Sequence, residues 1–174
     1  VGFQTTFIKE RPVAAFEDGL VTVAGSERGT VDVDDASSFL ARFAGGAHGI
    51  FEVTRFGTGH RNQNRIEVNG SEGSFIFNME RMNELEFYSR SDPAHAQGFR
   101  TIQVGEGVHP YVGSWWPAGH IIGFGDTFVH EIYDFIEAIA ARKAASPTFA
   151  DGVRCQEILV AVDTSVAERR WVRL

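Results

Sequence analysis

The stretch "SSFLARFAGGAHGIFEVTRFG", residues 37–57, contains two runs in which apolar and polar side chains alternate. Successive side chains of a β-strand point to opposite faces of the sheet, so each run predicts one strand. Between the runs lies "GGA" (45–47), and glycine readily adopts the positive φ that a tight turn needs. The stretch therefore predicts an antiparallel β-hairpin.

Further strands are predicted on both sides of this hairpin. A second hairpin is predicted in "RIEVNGSEGSFIF" (65–77), where Asn69-Gly70 is a typical turn dipeptide. Strand-like alternation also occurs in residues 2–8, 83–89 and 99–104. Strands at this spacing, joined by short loops, predict an antiparallel meander.

The second half of the chain has a helical period instead. In residues 126–142 the apolar side chains fall on one stripe, namely Phe128, Ile132, Phe135, Ile136 and Ile139. Asp126 or Thr127 can cap the start of this helix, because either side-chain oxygen accepts a free backbone N–H. A second stripe consists of Cys155, Leu159, Val162 and Val166. The closing "RRWVRL" (169–174) predicts a short strand.

The order of these elements predicts an α+β fold. Residues 1–174 are expected to form one domain, in which a large, open, mainly antiparallel sheet carries helices on one face. Apolar side chains occur in both strand registers, with Leu40, Ile50 and Ile76 in one and Phe39, Phe51, Phe75 and Phe77 in the other. Because the helices cover only one face, the other face needs either another subunit or a further domain.

The composition argues against several classes of partner. The net charge is −7, whereas a nucleic-acid footprint needs clustered Lys and Arg. No apolar run approaches the roughly 20 residues that span a bilayer, so no membrane segment is predicted. The single Cys155 cannot form an internal disulfide, which fits a cytoplasmic setting. Its place on the helical stripe predicts a buried small hydrophobe and not a nucleophile.

The chain lacks the motifs of a complete catalytic centre. The glycine pairs in "GTGHRN" (57–62) and "GFGDTF" (123–128) lack the third glycine of a dinucleotide fingerprint and its strand–helix context. There is no P-loop, no HExxH and no nucleophile elbow, and the six histidines show no zinc-site spacing. We therefore predict no catalytic residue, no cofactor-binding residue and no metal ligand in this chain.

Two segments nevertheless contain candidate ligand-binding residues. The segment "TRFGTGHRNQNR" (54–65) contains Arg55, His60 and several amide side chains, of which Arg55 and some of the amides can present donors and acceptors to sugar hydroxyls. The alternative is a solvated hairpin loop.

The second segment is "SWWPAGHIIGFGDTFVHE" (114–131). Trp115 and Trp116 provide flat surfaces that suit the C–H face of a polyol, and His120 can donate and accept near neutral pH. The alternative is core packing of one tryptophan. His130 is interpreted as a packing or helix-surface residue in the first turn of the predicted helix.

The order of four motifs resembles the C-terminal domain of the glucose–fructose oxidoreductase / inositol dehydrogenase / rhizopine-catabolism (Gfo/Idh/MocA) family. They are "DDASSFLARFAGGAHGIFEVTRF" (34–56), "NRIEVNGSEGSFIFNMERMNELEFY" (64–88), "GDTFVHEIYDFIEAI" (125–139) and "SPTFADGVRCQEILVAVDTSVAERRWVRL" (146–174). In the last motif, Asp151-Gly152 opens and Ser165 nearly closes what looks like the family's final helix. The resemblance covers nearly the whole chain.

This resemblance implies a dihydrodipicolinate-reductase-like sheet domain of a two-domain NAD(P)-dependent oxidoreductase. Such an enzyme transfers a hydride between a sugar, inositol or polyol and the nicotinamide, assisted by a general base. The family's Rossmann glycines, catalytic lysine, aspartate and histidine would all lie upstream of Val1, which fits a chain that does not begin with Met. NAD or NADP is therefore expected in the full-length protein and not on this chain alone, which we expect to be inactive.

The resemblance also implies association through sheet faces, so we expect a homo-oligomer. The remaining candidates for the substrate wall are Arg55, His60, Trp115, Trp116 and His120. Two alternatives stay open: a stand-alone ligand-binding or scaffold module without activity, and an unrelated enzyme such as a hydrolase.

Overall fold

The computed structural model describes residues 1–19 and 21–174, which divide into two compact units. Unit 1 comprises Val1–Thr58 and Pro147–Leu174, and unit 2 comprises Gly59–Ser146. Every strand pair in the described residues is antiparallel, and two α-helices follow the strands. These features confirm the predicted α+β class.

The regular elements of the described residues are, in chain order, β1 (Gly2–Thr5), β2 (Glu10–Asp18), β3 (Val21–Thr30), β4 (Ala36–Arg42), β5 (His48–Thr54), β6 (Arg65–Asn69), β7 (Gly73–Asn78), β8 (Glu84–Ser89), β9 (Arg100–Gln103), α1 (Phe124–Ala140) and α2 (Phe149–Glu168). The strands form three sheets, with the orders β1-β4-β5, β2-β3 and β6-β7-β8-β9.

The hairpin predicted from residues 37–57 is confirmed as β4 and β5. Its turn is closed by the N–H of Phe43, which donates to the Ala47 carbonyl at 2.9 Å, and Gly46 has a φ of 90°. Phe39 lies opposite Phe51 in the register, and their rings stack with centroids 4.5 Å apart. The alternation therefore assigned these two side chains to one face correctly.

Helix α2 packs on β1 within unit 1. The N–H of Gly2 donates to Oγ of Ser165 at 3.1 Å, and the amide of Gln4 donates to Asp163 at 2.8 Å. A Cβ added at Gly2 would lie 3.2 Å from both Val162 and Val166, so the absence of a side chain lets the helix approach the strand closely. This contact covers the β1 edge of the sheet face that contains Phe39, whereas Phe51 on the same face is 39% exposed.

Cys155 corrects one expectation, because its side chain is exposed and not buried. It lies two turns before Val162 on the same stripe of α2. However, β1 is only four residues long and contacts the helix near its C-terminal end. The apolar stripe therefore extends beyond the strand that covers it.

The closing residues 171–174 have no regular secondary structure, so the short strand predicted there is wrong. Helix α2 ends at Glu168, and its C-cap Arg169 has a left-handed conformation with a φ of 54°. The hydroxyl of Ser165 donates to the Arg170 carbonyl at 2.6 Å, and the Arg42 guanidinium lies 4.9 Å from the Trp171 ring centroid. Side-chain contacts hold this segment instead of a strand ladder.

Unit 2 contains the four-stranded sheet β6–β9 and helix α1. The second predicted hairpin is confirmed, since the N–H of Gly70 donates to the Gly73 carbonyl at 2.8 Å between β6 and β7. The register gives this sheet one largely apolar face, with Ile66, Val68, Phe75, Phe77, Leu85, Phe87 and Ile102. The other face is mainly polar, apart from Ile76.

Helix α1 begins two residues earlier than predicted, at Phe124, with Gly123 as its N-cap. Asp126 is therefore not the cap. It is the third helical residue, and its carboxylate accepts the Gly123 N–H at 2.7 Å. Because of this earlier start, His130 lies in the second turn and not in the first.

The opposite face of the β1-β4-β5 sheet contains exposed apolar side chains beside the polar Ser38 and Glu52. Phe3, Leu40 and Ile50 on this face are 68, 46 and 84% exposed. For one sheet face the sequence pattern predicted no covering helix and therefore required a partner. That a second copy of the protein binds there stays a prediction.

Candidate functional site

The two tryptophans follow a short 3₁₀ turn, Val112–Ser114, in unit 2. The turn is closed by the Trp115 N–H, which donates to the Val112 carbonyl at 3.0 Å. The indole N–H of Trp115 donates to Nε2 of His130 at 2.6 Å, so the turn is joined to α1. An acceptor nitrogen has no proton, and the neutral imidazole of His130 therefore carries its proton on Nδ1.

Tyr111 precedes this turn in a conformation that is rare for a residue with a side chain, with a φ of 65° and a ψ of −23°. Its ring stacks on His130 at a centroid distance of 4.2 Å and an interplanar angle of 9°. Its hydroxyl donates to Asp134 at 2.6 Å. That hydrogen bond, with burial as a smaller cause, raises the pKa of Tyr111 above its usual range.

Trp116 and His120 lie side by side after the turn. The Trp116 side chain is 73% exposed, and its ring centroid is 6.2 Å from that of His120. Nδ1 of His120 lies 2.8 Å from the Pro117 carbonyl, which can only accept. Neutral His120 therefore has its proton on Nδ1, and Nε2 is left as an acceptor for a hydroxyl. An exposed indole face beside an acceptor nitrogen suits the alternating C–H and O–H groups of a polyol.

The candidate His60 is paired with an acid that the sequence did not indicate. Nδ1 of His60 lies 3.5 Å from the carboxylate of Glu80. The same carboxylate accepts the backbone N–H groups of Arg61 at 2.5 Å and Asn62 at 2.9 Å. These hydrogen bonds, that of Arg61 first, lower the pKa of Glu80. The loop before β6 is therefore organised around one carboxylate and is not merely solvated.

The candidate Arg55 lies in unit 1, beside the buried Asp35. Its backbone N–H donates to the Asp35 carbonyl at 2.9 Å. The Asp35 side chain accepts from the N–H groups of Phe7 at 2.8 Å and Ile8 at 2.9 Å and from the Arg11 guanidinium at 2.5 Å. The Ile8 hydrogen bond is the main cause that lowers the pKa of Asp35, and the positive charges of Arg11 and Arg55 add to it.

The five candidates thus belong to different local groups. Trp115, Trp116 and His120 lie on one segment of unit 2, whereas His60 is held by Glu80 on another. Arg55 belongs to unit 1.

Sequence reasoning missed Tyr111, Glu80, Asp35 and Asp134 in these groups. Only one of the contacts of these residues had a signal in the sequence. His130 and Asp134 are four residues apart on α1, so they share a helix face and can contact the same partner.

Within residues 1–19 and 21–174 there is no group of three or more His, Cys, Asp or Glu side chains arranged to hold a metal ion. In the same residues no helix has both the length and the apolar character needed to cross a bilayer.

A Rossmann-type dinucleotide cradle is not among the elements of the described residues. Dinucleotide cradles are built on parallel strands joined by a helix, with glycines at the turn. All strand pairs in the described part of the chain are antiparallel. No residue here is therefore assigned to a nicotinamide cofactor.

Comparison with known proteins gives consistent similarities. Residues 6–76 match the family described as GFO/IDH/MocA C-terminal domain. Levoglucosan dehydrogenase from Pseudarthrobacter phenanthrenivorans is 43% identical over 172 residues, which is 97% of this chain and 44% of that protein. The chain therefore spans less than half the length of this curated relative.

Two solved structures show the same similarity in three dimensions. An oxidoreductase domain protein from Kribbella flavida is 50% identical, with a TM-score of 0.89, over 98% of this chain and 44% of the other. Levoglucosan dehydrogenase in complex with NADH and L-sorbose is 40% identical, with a TM-score of 0.88, over 98% and 43%. Another complex of that enzyme contains NADH and levoglucosan.

Proposed function

The chain belongs to the GFO/IDH/MocA family of C-terminal domains, and from this premise we propose its function within a longer oxidoreductase. The proposal is that it forms the substrate-binding and oligomerisation domain of an NAD(P)-dependent enzyme. That enzyme would act on a sugar, an inositol or a related polyol by hydride transfer. The chain alone would be inactive, and no step of the transfer is assigned to its residues.

The observation that carries this proposal is the pair formed by Trp116 and His120. The indole is largely exposed, and the Nε2 of His120 is available to accept a hydrogen bond from a hydroxyl. Aromatic faces pack on sugar C–H groups, while imidazole nitrogens fix the direction of the hydroxyls. Relatives that bind levoglucosan and L-sorbose support a sugar-like substrate of this class.

The test is an activity screen of the full-length protein over levoglucosan, L-sorbose, common hexoses and inositols, with NAD and with NADP. We expect oxidation of at least one of these compounds. Trp116→Ala and His120→Ala should then raise the KM for that compound by about tenfold or more, which corresponds to the loss of about 1.4 kcal/mol of binding. The KM for the cofactor should stay unchanged. His95→Ala, in another loop of unit 2, is the matched control.

Two outcomes would contradict the proposal. Wild-type kinetics in both variants would remove Trp116 and His120 from the substrate wall. A full-length protein that binds sugars but oxidises none with either cofactor would favour a ligand-binding or scaffold module. Calorimetry of this chain alone with NADH should show no binding.

The oligomer part of the proposal rests on the exposed apolar side chains of Phe3, Leu40 and Ile50, which share one sheet face. Exposed apolar clusters of this kind are typical of subunit interfaces. We expect the full-length protein to sediment as an oligomer and Ile50→Glu to dissociate it. A wild-type monomer at micromolar concentration would contradict this.

A further inference from the structure

We propose that Tyr111 and His130 are positioning residues, which hold the Trp115–Trp116 segment in the orientation that binds the polyol. This inference rests on the proposed function, because Trp116 is assigned there to the substrate wall. It gives a role to His130, which the sequence placed only on a helix. It also gives a role to the left-handed backbone of Tyr111.

The first step is the link between the turn and α1. The Trp115 indole donates to His130 at 2.6 Å, and the two rings meet edge to face at 5.5 Å. His130 lies in the second turn of a 17-residue helix, so its backbone is fixed by helical hydrogen bonds. The hydrogen bond therefore fixes the position of Trp115, a loop residue, relative to a rigid helix. Binding residues that are held in this way make precise ligand contacts.

The second step is the conformation of Tyr111. A non-glycine residue at a φ of 65° is strained, and such strain persists only where surrounding contacts compensate it. Here the compensation comes from stacking on His130 and from the hydrogen bond to Asp134. The Tyr111 side chain thus makes two contacts that glycine, which would adopt the same backbone without strain, cannot make.

The third step connects these contacts to the exposed indole. Trp115 ends the 3₁₀ turn with an extended backbone, at a φ of −110° and a ψ of −176°. Val112, at the start of that turn, is buried. With Trp115 held on both its backbone and its indole, the direction of the next side chain, Trp116, is set. Loss of the hydrogen bond between Trp115 and His130 should therefore change the orientation of the adjacent Trp116 side chain.

The experiment compares His130→Leu with His130→Gln in the full-length protein. Leucine has no acceptor, whereas glutamine offers its carbonyl oxygen to the indole. We expect His130→Leu to raise the polyol KM by about tenfold, the size expected for loss of one hydrogen bond and its positioning. His130→Gln should recover most of that loss. The cofactor KM should not change in either variant, and His95→Leu should have wild-type kinetics.

Tyr111→Gly separates positioning from stability. Glycine relieves the backbone strain, which offsets part of the cost of the lost contacts and of the larger entropy of the unfolded chain, so the melting temperature should fall only slightly. The polyol KM should nevertheless increase, because the stack on His130 and the hydrogen bond to Asp134 are lost. A polyol KM at the wild-type value in both Tyr111→Gly and His130→Leu would overturn the proposal.

A direct readout of the hydrogen bond distinguishes this inference from the proposed function. With ¹⁵N-tryptophan labelling, the Trp115 indole N–H resonance is identified by its disappearance in Trp115→Phe. We expect it to move upfield in His130→Leu and to return toward its position in His130→Gln. If the wild-type protein oxidises no polyol, the proposed function fails. An indole resonance that does not move would overturn the positioning role itself.

Discussion

The backbone N–H of Gly2 donates to the hydroxyl of Ser165 at 3.1 Å, which joins the first strand of unit 1 to its last helix. The same hydroxyl donates to the Arg170 carbonyl at 2.6 Å. Ser165 is 4% exposed, so its hydroxyl is largely removed from solvent. One buried side chain therefore satisfies a donor and an acceptor that are 168 residues apart in sequence numbering (170 − 2).

Ser165→Ala should destabilise the protein by about 1–2 kcal/mol, because the part-buried Gly2 N–H and Arg170 carbonyl would each lose their partner. Chemical denaturation of the purified protein measures the free energy of unfolding. Ser38→Ala, on the opposite face of the neighbouring strand β4, is the control and should change it by less than about 0.5 kcal/mol. Equal effects of the two substitutions would mean that the Ser165 hydrogen bonds do not stabilise the fold.

The hydrogen bonds of Asp35 should make the stability of the protein depend on pH in the acid range. Its folded-state pKa is lowered, first by the Ile8 N–H, so its contribution to stability is present above the unfolded value of about 3.9. That contribution is lost as the pH falls through the lower, folded-state pKa. The melting temperature should therefore decrease below about pH 4, and more steeply in the wild type than in Asp35→Asn. Asp34→Asn, at the exposed neighbouring position, should retain the wild-type slope.

The hairpin of residues 37–57 could be predicted because both its alternation and its turn are local. The β2–β3 hairpin could have been found from Asp18-Gly19, where Gly19 has a φ of 58°. It was missed because two register irregularities, between Pro12 and Ala14 and between Ala14 and Phe16, interrupt the alternation. A strand prediction based on strict alternation does not detect strands that such bulges interrupt.

The candidate site was predictable only in part. The aromatic and imidazole side chains of Trp116 and His120 could be recognised by type, and they do lie together. The contact of Trp115 with His130 could not be predicted, because it joins an irregular turn to a helix. No periodic pattern in the sequence indicates such a contact. Tyr111 was missed for a related reason, since its left-handed backbone is stabilised by tertiary contacts and not by its residue type.

The start of α2 provides a test of local capping. The Thr148 hydroxyl accepts the Asp151 N–H at 3.4 Å, and the Asp151 carboxylate accepts the Thr148 N–H at 2.7 Å. Thr148→Ala should lower the free energy of unfolding by about 1 kcal/mol, while Thr148→Ser should be nearly neutral because serine also caps. Equilibrium denaturation measures both. Equal losses in the two variants would show that the methyl group of Thr148 matters and not its hydroxyl.

The Glu80 carboxylate should control the order of the loop that contains His60. It accepts the N–H groups of Arg61 and Asn62, and it is itself held in a short 3₁₀ turn that Asn78 caps. Glu80→Ala removes the only acceptor that the described residues show for these two N–H groups, so both should exchange with solvent about tenfold faster or more.

Amide hydrogen exchange followed by NMR measures this effect at single residues. Glu86→Ala, on β8 of the same unit, is the matched control and should leave the Arg61 and Asn62 rates unchanged. Because the pKa of Glu80 is lowered by these hydrogen bonds, protection should persist at neutral pH and fall only in acid, as the carboxylate is protonated. Unchanged protection in Glu80→Ala would mean that the loop before β6 is ordered by other contacts, and His60 would then have no positioned partner.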